Sequence, residues 1–180
     1  MLTCRVPRFA ALLVLAAAVL AGCTPSTSAS SPTPSVVSSS ASPTPTLSEG
    51  QKAANDTVFK YRTLIDELRA QYKPDLIPLL GVSGGAAYEK WRYTIQEDFV
   101  NGYHQTGVAV LTINSTDPGT SVQQWLVSGC LDVTRVDIVD KNGKTTMAHP
   151  GGINKVTYTV DQDSKSLRWY VTNETGGGAC

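Results

Sequence analysis

The chain has 180 residues, 15 basic and 15 acidic side chains, a formal net charge of zero and 41% hydrophobic residues. The charges form neither a basic stripe nor a long run of one sign, which withholds support from nucleic-acid binding and from a polybasic membrane patch. Four cysteines and two histidines leave few residues for thiol or metal chemistry.

The first residues carry Arg5 and Arg8, followed by an apolar run from Phe9 to Ala21. That run falls short of the roughly 20 residues a membrane-spanning helix needs. A positive head, a short apolar run and small residues at its end make a secretory signal. Because the two arginines are not adjacent, the general secretory route is favoured over a twin-arginine one. The run ends in Leu20-Ala21-Gly22-Cys23, which resembles the lipobox of bacterial lipoproteins. The resemblance implies that residues 1–22 are a signal peptide and that Cys23 becomes the first mature residue, carrying a diacylglyceryl group. Two acyl chains hold a protein stably at a bilayer, at about 0.8 kcal/mol per buried CH₂. The implied location is the extracytoplasmic face of the cell membrane.

Residues 23–47 are dominated by Ser, Thr, Pro and Ala and carry no charge. Such a segment cannot bury enough apolar area to offset its ordering entropy, so it reads as a disordered tether. Fully extended, at about 3.1 Å per residue, it would reach roughly 70 Å. Residues 48–180 are the size of one domain and long enough to bury a core without a metal.

The domain begins with a helical pattern. Ala54, Val58, Tyr61, Ile65, Leu68 and Tyr72 alternate at spacings of four and three, which makes one apolar stripe. Ser48 and Gln51 have capping-box spacing at its start, and Pro74 limits its end. A short helical turn follows over Pro74–Leu80. Gly81, Gly84 and Gly85 then break the chain. A second long helix is predicted over Ala86–Val100, with Tyr88, Trp91, Ile95 and Phe99 on one side and Asn101-Gly102 closing it. Strands are predicted over Thr106–Asn114, Ser121–Cys130, Val133–Val139, Ile153–Val160 and Leu167–Thr172, from their β-branched content or alternation. Asp140–Lys144 is a tight turn containing Asn-Gly, the strongest hairpin signal. The glycines before Cys180 read as a freely bending tail. Helices first and antiparallel strands afterwards give an α+β fold.

This order resembles the nuclear-transport-factor-2-like, or cystatin-like, superfamily, which implies N-terminal helices packed on a curved antiparallel sheet. More narrowly, Cys130-Leu131-Asp132, Val139 to Lys144, Trp169 and Cys180 resemble motifs of small Ser/Thr/Pro-tethered lipoproteins of Gram-positive bacteria. Those motifs are structural rather than catalytic. Enzymes of the superfamily place an Asp, His or Tyr between sheet and helices as general acid or base. Residues of suitable type for such a pocket are Tyr61, Tyr88, Tyr103, His104, Asp132 and Tyr158. Trp91, Trp125 and Trp169 are candidates for its wall or for the core. None falls in a motif of a known enzyme, and core or turn roles are the simpler reading.

With Cys4 removed with the signal and Cys23 lipidated, Cys130 and Cys180 are left as an even pair in an oxidising compartment, where a disulfide is expected. A redox pair would want Cys-x-x-Cys spacing, which is absent. His104 and His149 sit in no metal-ligand motif, so neither a metal nor a cofactor is expected. Ser83-Gly84-Gly85 lacks the Lys-Ser/Thr of a phosphate loop. Asn55-Asp56-Thr57, Asn114-Ser115-Thr116 and Asn173-Glu174-Thr175 match the glycosylation pattern, but for a bacterial lipoprotein they read as accidental. The expectation is a non-catalytic binding or interaction module of the cell envelope, with an envelope protein or a small apolar molecule as partner. The alternatives are an isomerase- or dehydratase-type enzyme using the pocket, or a subunit of a secretion or conjugation assembly.

Overall fold

The computed structural model describes residues 47–146 and 151–180. The expected signal peptide, Cys4, Cys23, almost all of the tether and His149 lie outside the described residues. Helix α1 spans Glu49–Arg69, and Ser48 caps it. The Ser48 hydroxyl accepts from the Gln51 N–H, while the Gln51 side chain accepts from the Ser48 N–H. Two of the donors that a helix start leaves unpaired are thereby satisfied. The stripe from Ala54 to Leu68 is buried as predicted, but Tyr72 lies beyond the helix end and is exposed. A 3₁₀ turn covers Ile77–Gly81. Helix α2 spans Gly85–Asn101 and ends on Gly102 in the left-handed conformation, φ 71°. Its buried face carries Ala87, Trp91, Ile95 and Asp98, with Phe99 turned outward.

Among the described residues six strands follow: β1 (His104–Thr106), β2 (Val110–Pro118), β3 (Gln124–Asp132), β4 (Asp137–Val139), β5 (Ile153–Gln162) and β6 (Trp169–Ala179). A four-stranded antiparallel sheet has the order β2-β3-β5-β6, and β1 pairs with β4 in a separate two-stranded sheet. The fold is α+β, with helices packed on antiparallel strands. Its core joins α1 and α2 to the inward residues Val127, Val156, Tyr158, Val160 and Val171.

Two strand readings are corrected. The predicted strand Thr106–Asn114 is two strands, because Gly107 adopts φ 72° at a point where a side chain would run into the Arg135 carbonyl. Val133–Val139 is strand only from Asp137, because Asp132 accepts from the Thr134 N–H and hydroxyl and starts a turn. The Asp140–Lys144 turn forms as predicted, closed by the Asp140 N–H on the Lys144 carbonyl, though it lies outside the main sheet. It folds β4 onto a bridge at Thr145, while β5 pairs with β3.

The last strand also runs past its predicted end at Thr172, to Ala179. Gly176 pairs with Val156 and Ala179 with Asn154, so the terminal glycines are part of the sheet. Gly178, at φ 66°, sits in the bulge that opposes two residues to Lys155. Cys180 donates its N–H to the Ile153 carbonyl and is bonded to Cys130, with 6.0 Å between their Cα atoms. The bridge therefore ties the end of β6 to β3, with β5 between them in the sheet order.

Gly129 faces the core of β3 and pairs with Ile113 beside the bulge at Asn114. A side chain there would collide with the Thr112 carbonyl. Gly129→Ala is expected to cost about 1–3 kcal/mol through overpacking, read as a lowered urea midpoint with an unchanged slope.

Candidate functional site

The site forms where the inner face of the sheet meets α1 and α2. Tyr158 of β5 pairs in register with Glu174 of β6. Glu174 points inward because of a bulge. Val160 pairs with Val171 and Thr159 with Asn173, which leaves Thr172 as an extra residue. An extra residue inverts the alternation of everything after it. The Glu174 side chain is consequently only 6% exposed.

Its carboxylate is held from three directions. Oε2 accepts from the Tyr61 hydroxyl at 2.9 Å and from the Trp91 indole N–H at 2.8 Å, while Oε1 accepts from Lys90 Nζ at 2.9 Å. Arg62 lies 4.0 Å away. Burial works against ionising Glu174, but the charge of Arg62, the Trp91 donor and Lys90 outweigh it and hold its pKa below the ordinary value. Burial, reinforced by the Glu174 charge and hydrogen bond, pushes the Tyr61 hydroxyl far above its ordinary value. Burial likewise raises Tyr158, against the lowering charge of Arg62. The two rings meet edge to face, 6.1 Å between centroids.

A second layer of charge flanks this one. Asp66 accepts from the Gln105 amide and from the Ala109 backbone N–H, both at 2.9 Å. Arg69 reaches Asp98 through two nitrogens at 2.9 Å and donates to the Gln105 side-chain oxygen at 3.0 Å. Arg62, Arg69 and Lys90 all stand 5.1–5.5 Å from the Trp91 ring centre, within cation–π range. Beside this cluster lies a cavity of about 210 Å³, whose apolar wall is Ala109, Leu131, Val133 and Val136. A larger hollow of about 520 Å³ runs along α1 and the start of β2, bordered by Phe59, Val108, Val110 and Leu111. The two hollows share Arg62, Asp66 and Ala109 as a common wall.

Of the residues picked from sequence, the fold brings Tyr61, Trp91 and Tyr158 together. Tyr88 packs against the core from α2. Tyr103 follows the end of α2, and its N–H closes the helix on the Asp98 carbonyl. His104 lies against Tyr72, 4.3 Å between ring centres, with the rings tilted by 45°. Trp125 lies against Gly50 at the start of α1, and Asp132 is occupied by its turn. Trp169 borders a separate hollow with Arg168, Val82 and Lys60. Among the described residues, no group of three His, Cys, Asp or Glu is placed to hold a metal.

Sequence reasoning missed Arg62, Asp66, Arg69, Lys90, Asp98, Gln105 and Glu174. One signal was present: Arg62, Asp66 and Arg69 each follow a stripe position and share its side of α1. Glu174 gave none, since only the bulge turns it inward.

No family model matches the chain, and no curated protein sequence matches it. Among solved structures, the chain is similar to the intermembrane space region of the chloroplast protein ARC6. The TM-score is 0.57 at 16% identity, covering 75% of this chain and 100% of that one. At that identity the likeness is one of fold, a mixed arrangement of helices on antiparallel strands.

Proposed function

We propose that the protein is a lipoprotein anchored through Cys23 to the extracytoplasmic face of the cell membrane, and that its α+β domain is a non-catalytic binding module of the envelope. The observation that supports the binding reading is the state of the ionisable groups around Glu174. A general acid or base works best with a pKa near the operating pH. Glu174 is held anionic, and Tyr61 and Tyr158 are held protonated. These groups fix the shape of a site through the Glu174 bonds to Tyr61, Trp91 and Lys90. The hollows at their side offer room for a ligand, and the Ser/Thr/Pro tether lifts the domain clear of the bilayer. The nuclear-transport-factor-2-like resemblance adds that helix–sheet pockets of this kind commonly bind.

Cell fractionation tests the anchoring half. In a bacterium that processes lipoproteins, the wild-type chain is expected in membranes and labelled by palmitate. Cys23→Ser is expected in the soluble extracytoplasmic fraction, without label. Mature Cys23→Ser still sedimenting with membranes overturns the anchor.

A further inference from the structure

The turns that join β2 to β3 and β5 to β6 lie side by side at one end of the sheet. Gln124 pairs with Asp161 there, and the Gln162 N–H donates to the Gln123 carbonyl. Helix α1 starts at the same end, with Gly50 against Trp125 and the Gln51 amide donating to the Thr116 carbonyl. Leu47, where the tether enters the domain, stands just ahead of that start. Each of these three segments carries an exposed aliphatic side chain: Val122 at 98%, Leu167 at 64% and Leu47 at 51%. Single exposed apolar residues are ordinary on a protein surface. These three converge on the end from which the chain leaves for Cys23.

The Leu167 turn is built to present its side chain. Leu167 takes φ 57°, a left-handed conformation that a Cβ disfavours and that glycine or asparagine fills more easily. Its N–H donates to the Asp163 carbonyl, and its own carbonyl accepts from the Gln162 amide. The Asp163 N–H closes the turn on the Arg168 carbonyl. The backbone is thus fixed, and the side chain stands in water with Lys165 and Arg168 close by in sequence. Such a grouping suits a bilayer interface, where the apolar group enters and long cationic side chains keep their heads at the polar level. Asp163 is engaged within the turn, accepting from the Lys165 and Ser166 N–H groups. The other turn, residues 119–123, carries no charge.

We propose that this end of the domain docks on the lipid bilayer, with Val122, Leu167 and Leu47 entering its interface. This rests on reading Cys23 as the lipid anchor, and it adds which face of the domain turns to the membrane. A flexible coil of the tether's length averages roughly 25–30 Å between its ends. The tether that holds the domain clear of the bilayer therefore also brings this end back to it. Tethering gives an effective concentration on the order of millimolar, so a few apolar contacts suffice. The hollow of about 520 Å³ lies toward the other end, along the second half of α1 and the start of β2. Docking in this orientation leaves it open to the outside.

The test is methyl NMR on the full lipidated chain, with labelled leucine and valine, in nanodiscs of phosphatidylcholine and phosphatidylglycerol in equal parts. A fraction of the lipid carries a gadolinium chelate on its headgroup. The Val122, Leu167 and Leu47 methyls are expected to relax severalfold faster than those of Val100. Val100 is also exposed but lies at the far end of α2, whose start is tied to Val171 by the Gly84 N–H. Val122→Asp is expected to slow relaxation at Leu167, and Leu167→Asp to slow it at Val122, while both variants still sediment with membranes. Both positions are exposed, and Asp tolerates the left-handed conformation, so the variants keep the fold. Equal relaxation at both ends overturns the docking, as does faster relaxation at Val108 and Val110 beside the larger hollow. Relaxation at either tip that its partner's substitution leaves unchanged overturns the role of the tips. Broadening that needs more than one copy per nanodisc and no gadolinium lipid assigns this end to a second copy and overturns the lipid contact. A wild-type chain that takes up no palmitate overturns the anchor reading itself, whereas a palmitate-labelled chain whose tips relax no faster than Val100 overturns only the docking.

Discussion

Replacing Glu174 with alanine is expected to destabilise the domain by about 3–5 kcal/mol, the usual cost of removing one partner from a buried charge network. The loss is large because several groups lose their partner together. Tyr61 and the Trp91 indole are buried donors, and each costs roughly 1–3 kcal/mol when left unpaired. Lys90 is half exposed and can turn to water, so it adds little. Arg62 cannot, and it would face Asp66 alone across 3.6 Å. The exposed Arg92–Glu89 pair, with side chains 39% and 60% exposed, is the control: Glu89→Ala is expected to change stability by less than about 1 kcal/mol. Urea unfolding of the two variants reads the contrast. Equal midpoints would show that the Glu174 network contributes no more than a surface pair.

The effect has a defined pH dependence. The pKa of Glu174 in the folded protein lies below its ordinary 4.5. The unfolded chain therefore binds a proton first as pH falls, and stability declines with it. The contribution of Glu174 is full at neutral pH and persists down to the unfolded pKa. It is lost as pH falls further, through the folded value. The difference between wild type and Glu174→Ala should thus hold steady from neutral pH to about pH 5 and shrink in more acidic buffer. A difference that grows on acidification would contradict an ionised Glu174.

Cys180→Ser is expected to cost about 4 kcal/mol. The bridge closes a loop with a sequence separation of 50, and chain entropy for a loop of that size gives this figure. The loss has a location as well as a size. The end of β6 is held by its pairing to β5, by the Cys180 N–H bond to Ile153 and by the bridge itself. Three consecutive glycines in that stretch carry the highest backbone entropy to be lost on ordering. Hydrogen exchange in Cys180→Ser is expected to speed up at Gly176 to Ala179 first, while Val156 to Val160 open only with the whole domain. Uniform protection along β6 in the variant would mean that strand pairing alone holds the end. Because the inward turn of Glu174 depends on β6 staying in register, fraying that reached Glu174 would also loosen the site.

Local rules located much of the architecture. The Ser48–Gln51 capping box and the Asn101-Gly102 stop each act within a few residues and give helix boundaries that the structure reproduces within a residue or two, whereas the stripe read to Tyr72 overruns α1, which ends at Arg69. The passage from helices to β-branched alternating segments gives the α+β class, and the even cysteine pair needs only residue counting and a compartment. Pairing partners are another matter. The sequence marks a strand over Val133–Val139 and a turn over Asp140–Lys144 but not their partners: β4 is drawn to β1, and β5 is drawn to β3 by the inward set of Val127, Val156, Tyr158 and Val160. That choice is made by burying one sheet face under two helices, a non-local gain that no short window contains.

The site shows the same division. From its residues alone, the chain determines where its helices start and stop, that antiparallel strands follow them, and which apolar side chains form the α1 stripe. Tertiary structure decides the rest. Thr172 bulges out of β6, the alternation inverts, and Glu174 turns from an apparent surface position into the centre of a buried charge network. Arg62, one step off the apolar stripe, is then brought against Trp91, with two buried donors that no group among the described residues reaches. The reason is one of range. Capping and periodicity are set by neighbours in sequence, whereas a bulge and the partners of a buried charge are set by strands and helices far apart in the chain.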